Sequence, residues 1–514
     1  MRYSIKRFSH LFLFVALVST ALAQDLPKVS AAFFPNPKIT DSNVAIAGTK
    51  KGYTSYRGMV RFLKETRDKN PSLISLETIG KTQKGKDIYG VKIARETGAS
   101  DKMRVVYMAR VHGDEPGGTE GLLYFLDRIT KDAGLQSVLD KIDIYLLPMV
   151  NVDGGEKMIR QTANGIDLNR DQVRMESPEA VAMRSYVNRI DPHVCVDFHE
   201  YQPLKSAYAL ISPEVLTVPW DVMFLTSGNP NVASPVRSAI DSLFVPQAQS
   251  LLAANRFTSH TYYTPKRNSQ GVVLNMGGSS PRSTSNTFAL SNMYSILIEG
   301  RGIGLGRKGI VRRMEQIYLL ATAFARTSAE NKEALLAGLE KAPEERNAVA
   351  IGFASEKKTD YPIPFINQLK CRIDTVAMNV SDAMASKVTA SRPLPDTYYL
   401  LPSEREALET LHKMGIETTI LEQPVVVNVE AYEVTDAQEE GHSFRTFTPL
   451  KVTTRLTEKV VTLPAGTIVV DTRQHKVRLL SVMLEPESSN GFVNYRIIGA
   501  EKGMELPVYR SVNK

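Results

Sequence analysis

Two histidines and a glutamate are spaced so that they could hold one metal ion. His112 and Glu115 belong to the tetrapeptide His-Gly-Asp-Glu, and His199 follows an apolar run at 194–198. Two imidazoles and one carboxylate are the protein ligands of a catalytic zinc site, in which the fourth position stays open for water. His-x-x-Glu alone is a weak signal, because any chain with several histidines and many glutamates can contain it. The prediction therefore depends on where the fold places the three residues.

Other polar groups also follow apolar runs. Arg160 stands in a Gly-rich loop, and the segment Asp167-Leu-Asn169-Arg170 comes shortly after it. Taken alone, such a cluster is best interpreted as a solvated loop. Glu299 follows the apolar run at 295–298, where an isolated carboxylate is usually a surface group. Four strand ends that each deliver a group needed for hydrolysis would rarely arise by accident.

Alternating strands and helices would bring these residues together. We expect an opening helix and a hairpin at 53–69, 74–79 and 88–94, then strands at 104–111, 142–150, 194–198 and 295–298, and helices at 118–129, 177–189 and 310–325. Continuous apolar strands separated by helices predict an α/β fold, an α/β/α sandwich with a mostly parallel mixed sheet. Ligands bind at the carboxyl ends of the strands in such sheets, where His112, His199 and Glu299 are expected.

The last third of the chain has a different pattern. A charged, helix-prone stretch near 329–347 closes the α/β unit, and 398–421 predicts strand, helix and strand with Ser403 as the helix N-cap. Residues 425–510 are rich in Val, Thr and Ile at strand spacing. We therefore predict a catalytic domain at 53–347 and a smaller β-rich C-terminal domain at 348–514.

The N-terminus is typical of an exported protein. Three basic residues precede the apolar run at 11–17, and Ala21-Leu22-Ala23 offers small residues for cleavage. This pattern predicts a signal peptide at 1–23, followed by a leader at 24–52. Removing its three basic residues from the net charge of +8 leaves +5 for the mature chain. After residue 23 the sequence contains no run of about 20 apolar residues, so no membrane span is predicted.

Composition and two further motifs argue against other function classes. Lys and Arg are scattered rather than grouped with aromatic residues, so nucleic-acid binding is not expected. Cys195 and Cys371 are too few for a disulfide framework, and Cys195 is expected to be a buried small apolar residue. Gly304-Leu-Gly306-Arg-Lys-Gly309 fits a dinucleotide fingerprint, but its strand ends too early and no strand follows, which favours a turn into a helix. His193 would lie at the other end of its strand from His199 and is the poorer ligand.

Together these motifs resemble the zinc metallocarboxypeptidase family of carboxypeptidase A. His112-x-x-Glu115 matches the first two metal ligands of that family, and His199, in Asp-Phe-His, matches the third. Arg160 through Asp167-Leu-Asn169-Arg170 matches the segment that holds the substrate carboxylate and the oxyanion, and Glu299, in Leu-Ile-Glu, matches the catalytic glutamate. The resemblance covers residues 53–325 and is to a bacterial-type exported member with an added C-terminal domain.

The resemblance implies a Zn²⁺ enzyme that acts on a peptide with a free carboxylate. Glu299 would be the general base toward a zinc-activated water. Arg160 would stabilise the oxyanion, and Arg170 with Asn169 would hold the terminal carboxylate. Asp167 would orient a ligand imidazole, that of His112 first of all.

One departure from the family bears on the substrate. Its peptidases usually place a tyrosine some twenty residues before the glutamate, whereas residues 275–279 here read Asn-Met-Gly-Gly-Ser. Tyr262, Tyr263 and Tyr294 are candidates, none at the expected spacing. Two alternatives stay open: another amide hydrolase on the same scaffold, such as a deacylase or a murein-peptide trimming enzyme, and a non-catalytic binding protein. Residues 271–298 contain Arg282 but no acidic residue, so a preference for C-terminal Lys or Arg is not expected.

Overall fold

The computed structural model describes residues 25–39, 52–96, 98, 101–212, 214–269, 271–441 and 447–512. The predicted signal peptide at 1–23 lies outside the described residues, as does the part of the predicted leader at 40–51. No helix in these described ranges is long and apolar enough to cross a lipid bilayer.

Nineteen strands and thirteen α-helices make up most of the regular structure of the described residues. The strands are β1 Ile74–Lys81, β2 Asp87–Ile93, β3 Met103–Ala109, β4 Ile142–Leu147, β5 Val194–Tyr201, β6 Leu216–Thr217, β7 Val222–Leu225, β8 Ser259–Thr261, β9 Tyr263–Asn268, β10 Gly271–Met276, β11 Tyr294–Arg301, β12 Val349–Asn367, β13 Arg372–Arg392, β14 Thr397–Leu400, β15 Thr419–Ile420, β16 Val425–Glu439, β17 Leu450–Leu463, β18 Ile468–Asp471 and β19 Glu505–Ser511. The helices are α1 Pro27–Phe33, α2 Tyr56–Lys69, α3 Gly117–Ile129, α4 Ala133–Gln136, α5 Val152–Lys157, α6 Pro178–Ile190, α7 Ser234–Ala239, α8 Val245–Ala254, α9 Thr284–Leu290, α10 Ile310–Glu330, α11 Lys332–Lys341, α12 Arg405–Met414 and α13 Val477–Leu484.

The largest sheet is a mixed one whose central strands are parallel. Its order is β1-β2-β4-β3-β5-β11-β7-β8, and the four central strands, β4, β3, β5 and β11, run parallel to one another. Every residue of β5 and β11 is buried, so helices cover both faces of the sheet. The predicted α/β class with a mostly parallel mixed sheet is confirmed.

The helices that cover this sheet begin and pack as their sequences dictate. The Ser177 side chain accepts a hydrogen bond from the Ala180 backbone, Pro178 occupies the first position of α6, and Asp191 ends it with φ 50°. On another helix pair, a Cβ on Gly121 would lie 2.4 Å from the Ile317 Cβ. Glycine is therefore what lets α3 approach α10 so closely.

Two of the predicted strands extend further than their sequence pattern indicates. Expected at 194–198 and 295–298, β5 continues to Tyr201 and β11 to Arg301. His199 and Glu299 therefore lie among the last paired residues of β5 and β11, and not beyond the ends of these strands. The reason is that β5 and β11 support each other: their parallel register runs on to the pair Arg301 and Tyr201, although polar residues interrupt the apolar pattern.

A second sheet joins segments on both sides of residue 347. Its order is β6-β12-β13-β10-β9, and the long hairpin of β12 and β13 pairs with β10 through β13. Val273 lies opposite Asn379, and Met276 opposite Asp382. The residues just after 347 thus add strands beside a hairpin of the preceding part of the chain.

The C-terminal part is β-rich, as predicted. Its sheet has the order β15-β18-β14-β19-β16-β17. The predicted strand, helix and strand at 398–421 are present as β14, α12 and β15. The helix begins at Arg405 after Glu404, and the Ser403 hydroxyl bonds the Glu404 side chain, so the predicted Ser403 N-cap is wrong.

Candidate active site

Three side chains converge where β3 and β5 end. His112 follows β3, Glu115 lies in the same loop, and His199 lies near the end of β5. Their possible ligand atoms all lie within 4.8 Å of one another, and all three residues are buried. His112 Nδ1 is 2.7 Å from one Glu115 oxygen, and His199 Nδ1 is 2.8 Å from the other. The two Nδ1 atoms are 3.0 Å apart, so both imidazoles present the same nitrogen to one point.

The other ring nitrogen of each imidazole, Nε2, lies beside a carboxylate. His112 Nε2 is 3.0 Å from Asp167 Oδ1, and His199 Nε2 is 2.7 Å from Asp197 Oδ2. Each carboxylate accepts the Nε2 proton, which leaves the Nδ1 lone pair for a metal ion. This donor set fits zinc, and it is the set that the sequence motifs predict. Sequence reasoning missed Asp197, although the strand spacing of Asp-Phe-His places it on the same face as His199.

Arg110 stabilises the loop that carries His112 and Glu115. This residue has φ 56°, and its guanidinium donates to the carbonyls of Gly113 and Gly155 at 3.1 and 2.8 Å. A Cβ at Gly113 would lie 2.2 Å from the Gly154 carbonyl carbon. The His-Gly-Asp-Glu turn therefore requires glycine at its second position, because backbone packs against backbone there.

Negative charge dominates the space between the ligands. Burial would lower the pKa of His112, but the Glu115 and Asp167 carboxylates outweigh it and raise that pKa. Burial would raise the pKa of Glu115, but the neighbouring His112 and His199 imidazoles outweigh it and hold that pKa far below its usual range. Arg160 Nη1 reaches 3.1 Å from His112 Nδ1 and 3.6 Å from a Glu115 oxygen. A guanidinium is thus drawn to the point that a metal cation would occupy.

Glu299 lies beside the three possible metal ligands but is not one of them. It stands opposite His199 in the parallel register of β11 and β5. Burial, followed by the nearby Glu115 charge, raises the pKa of Glu299 to about 7. A carboxyl group with such a pKa can accept and release a proton near neutral pH.

Arg160, Asn169 and Arg170 line the same site. Arg160 Nε donates to Asp167 Oδ2 at 2.9 Å, and the Asp167 side chain caps the turn at 168–170 through the Asn169 backbone N–H, also at 2.9 Å. Arg170 Nη1 bonds the Asn169 carbonyl at 2.7 Å. Burial lowers the pKa of the Arg170 guanidinium, which Asp167 partly offsets. The Asp167 carboxylate therefore joins Arg160 and His112 to the turn that carries Asn169 and Arg170.

Among the three tyrosine candidates, the fold brings Tyr262 to the site. Burial raises its pKa well above the usual value, and the charges of Glu299 and Glu115 add to that effect. Tyr263 is buried in a separate apolar cluster, and the Tyr294 hydroxyl donates to the Leu335 carbonyl at 2.8 Å. Spacing along the chain could not find Tyr262, because it lies in the break between β8 and β9, far from Glu299 in sequence.

The two rival features stay apart from the cluster. Residues 304–309 form a turn into α10, as predicted, with φ values of 85°, 58° and 66° at its three glycines, and Arg313 donates to the Gly306 carbonyl. His193 precedes β5 at its other end, and its Nδ1 accepts the Arg104 backbone N–H at 2.9 Å. Cys195 is buried with a free thiol, as expected.

The chain is similar to known carboxypeptidases. Residues 59–305 match the family model described as zinc carboxypeptidase. Carboxypeptidase 2 of Trichophyton equinum is 23% identical over 506 residues, which cover 96% of this chain and 93% of that protein. Carboxypeptidase M of Mus musculus is 30% identical over 134 residues, or 23% of this chain and 30% of that protein. A metallo-carboxypeptidase structure from Burkholderia cenocepacia is similar at a TM-score of 0.42 and 16% identity, covering 55% of this chain and 71% of that one.

The matched span contains the three clustered residues His112, Glu115 and His199, and also Glu299, which pairs with His199 across β11 and β5. By the match of residues 59–305, this chain contains a zinc carboxypeptidase domain.

Proposed function

We propose that this protein is an exported carboxypeptidase that removes the last residue of a peptide, with its metal held by His112, Glu115 and His199. The observation that carries the proposal is the convergence of these three side chains beside Glu299, with cationic side chains adjoining them. A metal site next to a buried base and a carboxylate-binding group is what exopeptidase chemistry needs.

Glu299 is the general base of this proposal. When bound, zinc polarises the scissile carbonyl and acidifies the attacking water. The Glu299 carboxylate accepts a proton from that water and then delivers it to the departing amine. Its position opposite His199 supports this role, because the base must reach a water beside the metal ligands without being a ligand itself.

Arg160 and Arg170 divide the anionic parts of the substrate between them. Arg160, which already reaches the ligand cluster, stabilises the oxyanion that forms at the scissile carbonyl. Arg170 and Asn169 hold the terminal carboxylate, since a planar guanidinium can bind it through two parallel hydrogen bonds. Tyr262 stays protonated because of its raised pKa and donates a hydrogen bond to the bound peptide. Asp167 keeps the His112 imidazole in place.

The charge around Arg170 disfavours a basic terminal side chain. Arg282 is half-buried and close enough to lower the pKa of Arg170 by its charge, after the larger effect of burial. Residues 271–298 contain no Asp or Glu that could pair with Lys or Arg. We therefore infer that the enzyme prefers acidic or neutral terminal residues.

Export is part of the proposal, with cleavage of a signal peptide after Ala23. Asp25, two residues further on, already belongs to the fold: its carboxylate lies 2.6 Å from Arg301 Nη2, and both residues are buried. We further propose 24–52 as a leader, 53–347 as the catalytic domain and 348–514 as the C-terminal domain.

A peptide library with varied C-terminal residues tests the proposal. Purified protein is incubated with matched free-acid and amidated peptides ending in Glu, Leu or Lys, and products are identified by mass spectrometry. We expect loss of a single residue from free-acid peptides, least from those ending in Lys, and no cleavage after metal removal by a chelator. Added Zn²⁺ should restore it.

The same experiment separates the alternatives. Equal cleavage of free-acid and amidated peptides would refute exopeptidase action and favour a broader amide hydrolase. Full activity after exhaustive chelation would refute the zinc mechanism. Metal binding without cleavage of any peptide in the library would favour a binding protein. His112→Ala and His199→Ala are the matched variants, and each should lose both zinc and activity.

A further inference from the structure

One carboxylate joins a zinc ligand to a threonine of α9. Asp197 Oδ2 is 2.7 Å from His199 Nε2 and 2.6 Å from Thr284 Oγ1. Both contacts are charge-assisted, because the acceptor is an ionised carboxylate, and such hydrogen bonds are short and strong. Asp197 and Thr284 are buried, with 3% and 0% of their surface exposed. Water therefore does not compete for these hydrogen bonds.

The same threonine holds Asn169. Its backbone N–H donates to Asn169 Oδ1 at 2.9 Å, and its hydroxyl oxygen lies 3.2 Å from that atom. A hydroxyl carries one proton, which goes to the nearer and charged acceptor, Asp197. The backbone N–H remains the donor for Asn169. Because Oδ1 accepts this bond, the two N–H donors of Asn169 are on the other side of its amide.

These contacts link three elements that are distant along the chain. Asn169 lies in the turn at 168–170, Asp197 in β5 and Thr284 at the start of α9. The metal ligand and the substrate-binding amide are therefore positioned by one residue. Groups that hydrogen-bond the second ring nitrogen of a metal-bound histidine orient that ligand, and their mutation costs about 10–100-fold in metal affinity or activity.

We propose that Thr284 is a positioning residue that sets the metal ligand His199 and the carboxylate-binding residue Asn169 in fixed relation to each other. The inference rests on the proposed function, in which zinc binds at His199 and Asn169 contacts the substrate carboxylate. Thr284 contacts neither zinc nor substrate in this proposal. It acts through Asp197 on one side and through the Asn169 amide on the other.

Thr284→Val and Thr284→Ser test the proposal. Valine keeps the shape and the backbone N–H but removes the hydroxyl, and serine restores it. We expect Thr284→Val to bind Zn²⁺ about 10-fold or more weakly in competition with a chromophoric chelator, with a higher KM for free-acid peptides. Thr284→Ser should stay within about twofold of the wild type in both measurements.

Thr287→Val is the matched control. Thr287 is a fully buried threonine of the same helix, and its hydroxyl accepts from Arg184 Nη2 at 3.0 Å, away from the ligand cluster. It should lower thermal stability without changing the zinc affinity. Wild-type zinc affinity and KM in Thr284→Val would overturn the positioning role.

Two further results keep the test decisive. If Thr284→Val does not fold, Asp197→Asn replaces it: this variant keeps the side-chain size and removes the charge that accepts both hydrogen bonds. Unchanged zinc affinity in Asp197→Asn would overturn the proposal. A wild-type protein that binds no zinc or cleaves no peptide would instead refute the proposed function, so the two failures are distinguishable.

Discussion

Glu299 stands directly opposite His199 where β11 pairs with β5. Residues paired across neighbouring strands direct their side chains to the same face of the sheet, and so do residues two apart along one strand. Asp197, His199 and Glu299 therefore share one face. A single parallel strand pair thus supplies a metal ligand, the carboxylate behind it and the proposed base.

Glu299→Gln separates catalysis from metal binding. The amide cannot accept a proton from water, but it is nearly the same size and is not among the three ligands. We expect the variant to keep about one zinc per chain while turnover falls by about 10²–10⁴, the usual effect of losing a general base. Elemental analysis and steady-state kinetics measure the two quantities. Loss of zinc from this variant would show that the role of Glu299 is misassigned.

Arg170→Ala tests how the substrate carboxylate is held. Removing one partner of a buried guanidinium–carboxylate pair costs several kcal/mol, so kcat/KM for free-acid peptides should fall by about 10²-fold or more. Amidated peptides, already poor substrates of the wild type, should be affected little. Arg174→Ala is the control, because Arg174 binds the Tyr495 carbonyl and Glu176 instead. Equal losses on both kinds of peptide would contradict the assignment.

His193 predicts a pH dependence of stability. Burial, together with the Arg104 charge, lowers its pKa from 6.5 to about 4, while Asp191 acts in the opposite direction. Between pH 4 and pH 6.5, His193 therefore binds a proton in the unfolded chain but not in the folded chain. The free energy of unfolding therefore falls as the pH drops from 6.5 to 4, by no more than about 3 kcal/mol from this group.

His193→Asn checks this dependence. Asparagine can accept the Arg104 N–H through its side-chain oxygen but does not titrate. Urea unfolding at pH 7 and pH 4.5 should show a smaller loss of stability for the variant than for the wild type. The same loss in both proteins would assign the pH dependence to other groups.

Asp25 should stabilise the fold although it lies near the start of the described chain. Both of its oxygens lie 2.6 Å from Arg301 Nη2, and both residues are buried. Asp25→Ala leaves a buried guanidinium without its carboxylate, which should cost about 3–5 kcal/mol of unfolding free energy. Asp68→Ala breaks the exposed pair with Arg67 and should cost about 0–1 kcal/mol. Similar losses in the two variants would show that the Asp25 pair contributes little.

A chain that ends at Asn347 should aggregate. It would lose β13, the parallel neighbour of β10, and α13, all of whose residues are buried. The unpaired β10 edge and the apolar surface under α13 would then face water. Size-exclusion chromatography compares this chain with one that starts at Asp25 and keeps the C-terminal part. A soluble, monodisperse product that binds zinc would contradict the expectation.

Much of the site was predictable from residue types and spacing. His112, Glu115, His199 and Glu299 stand beside apolar runs whose length and alternation with helices predict a parallel sheet. The carboxyl ends of such strands meet at one edge, so local patterns were enough to expect these residues near one another. The helices α3, α6 and α10 lie close to their predicted ranges for the same reason, since each depends on its own periodicity and end residues.

Only the tertiary structure decided which distant residues touch. Asp197, Thr284 and Asn169 come from three elements, and nothing in the spacing along the chain indicates that they share hydrogen bonds. Tyr262 reaches the site from the break between β8 and β9, whereas Tyr294 lies at the other end of β11 from Glu299 and bonds the Leu335 carbonyl. β13 likewise pairs with β10 across the predicted domain boundary. Local periodicity determines helices and strands, whereas pairing between remote strands and hydrogen bonds between remote side chains depend on the path of the whole chain.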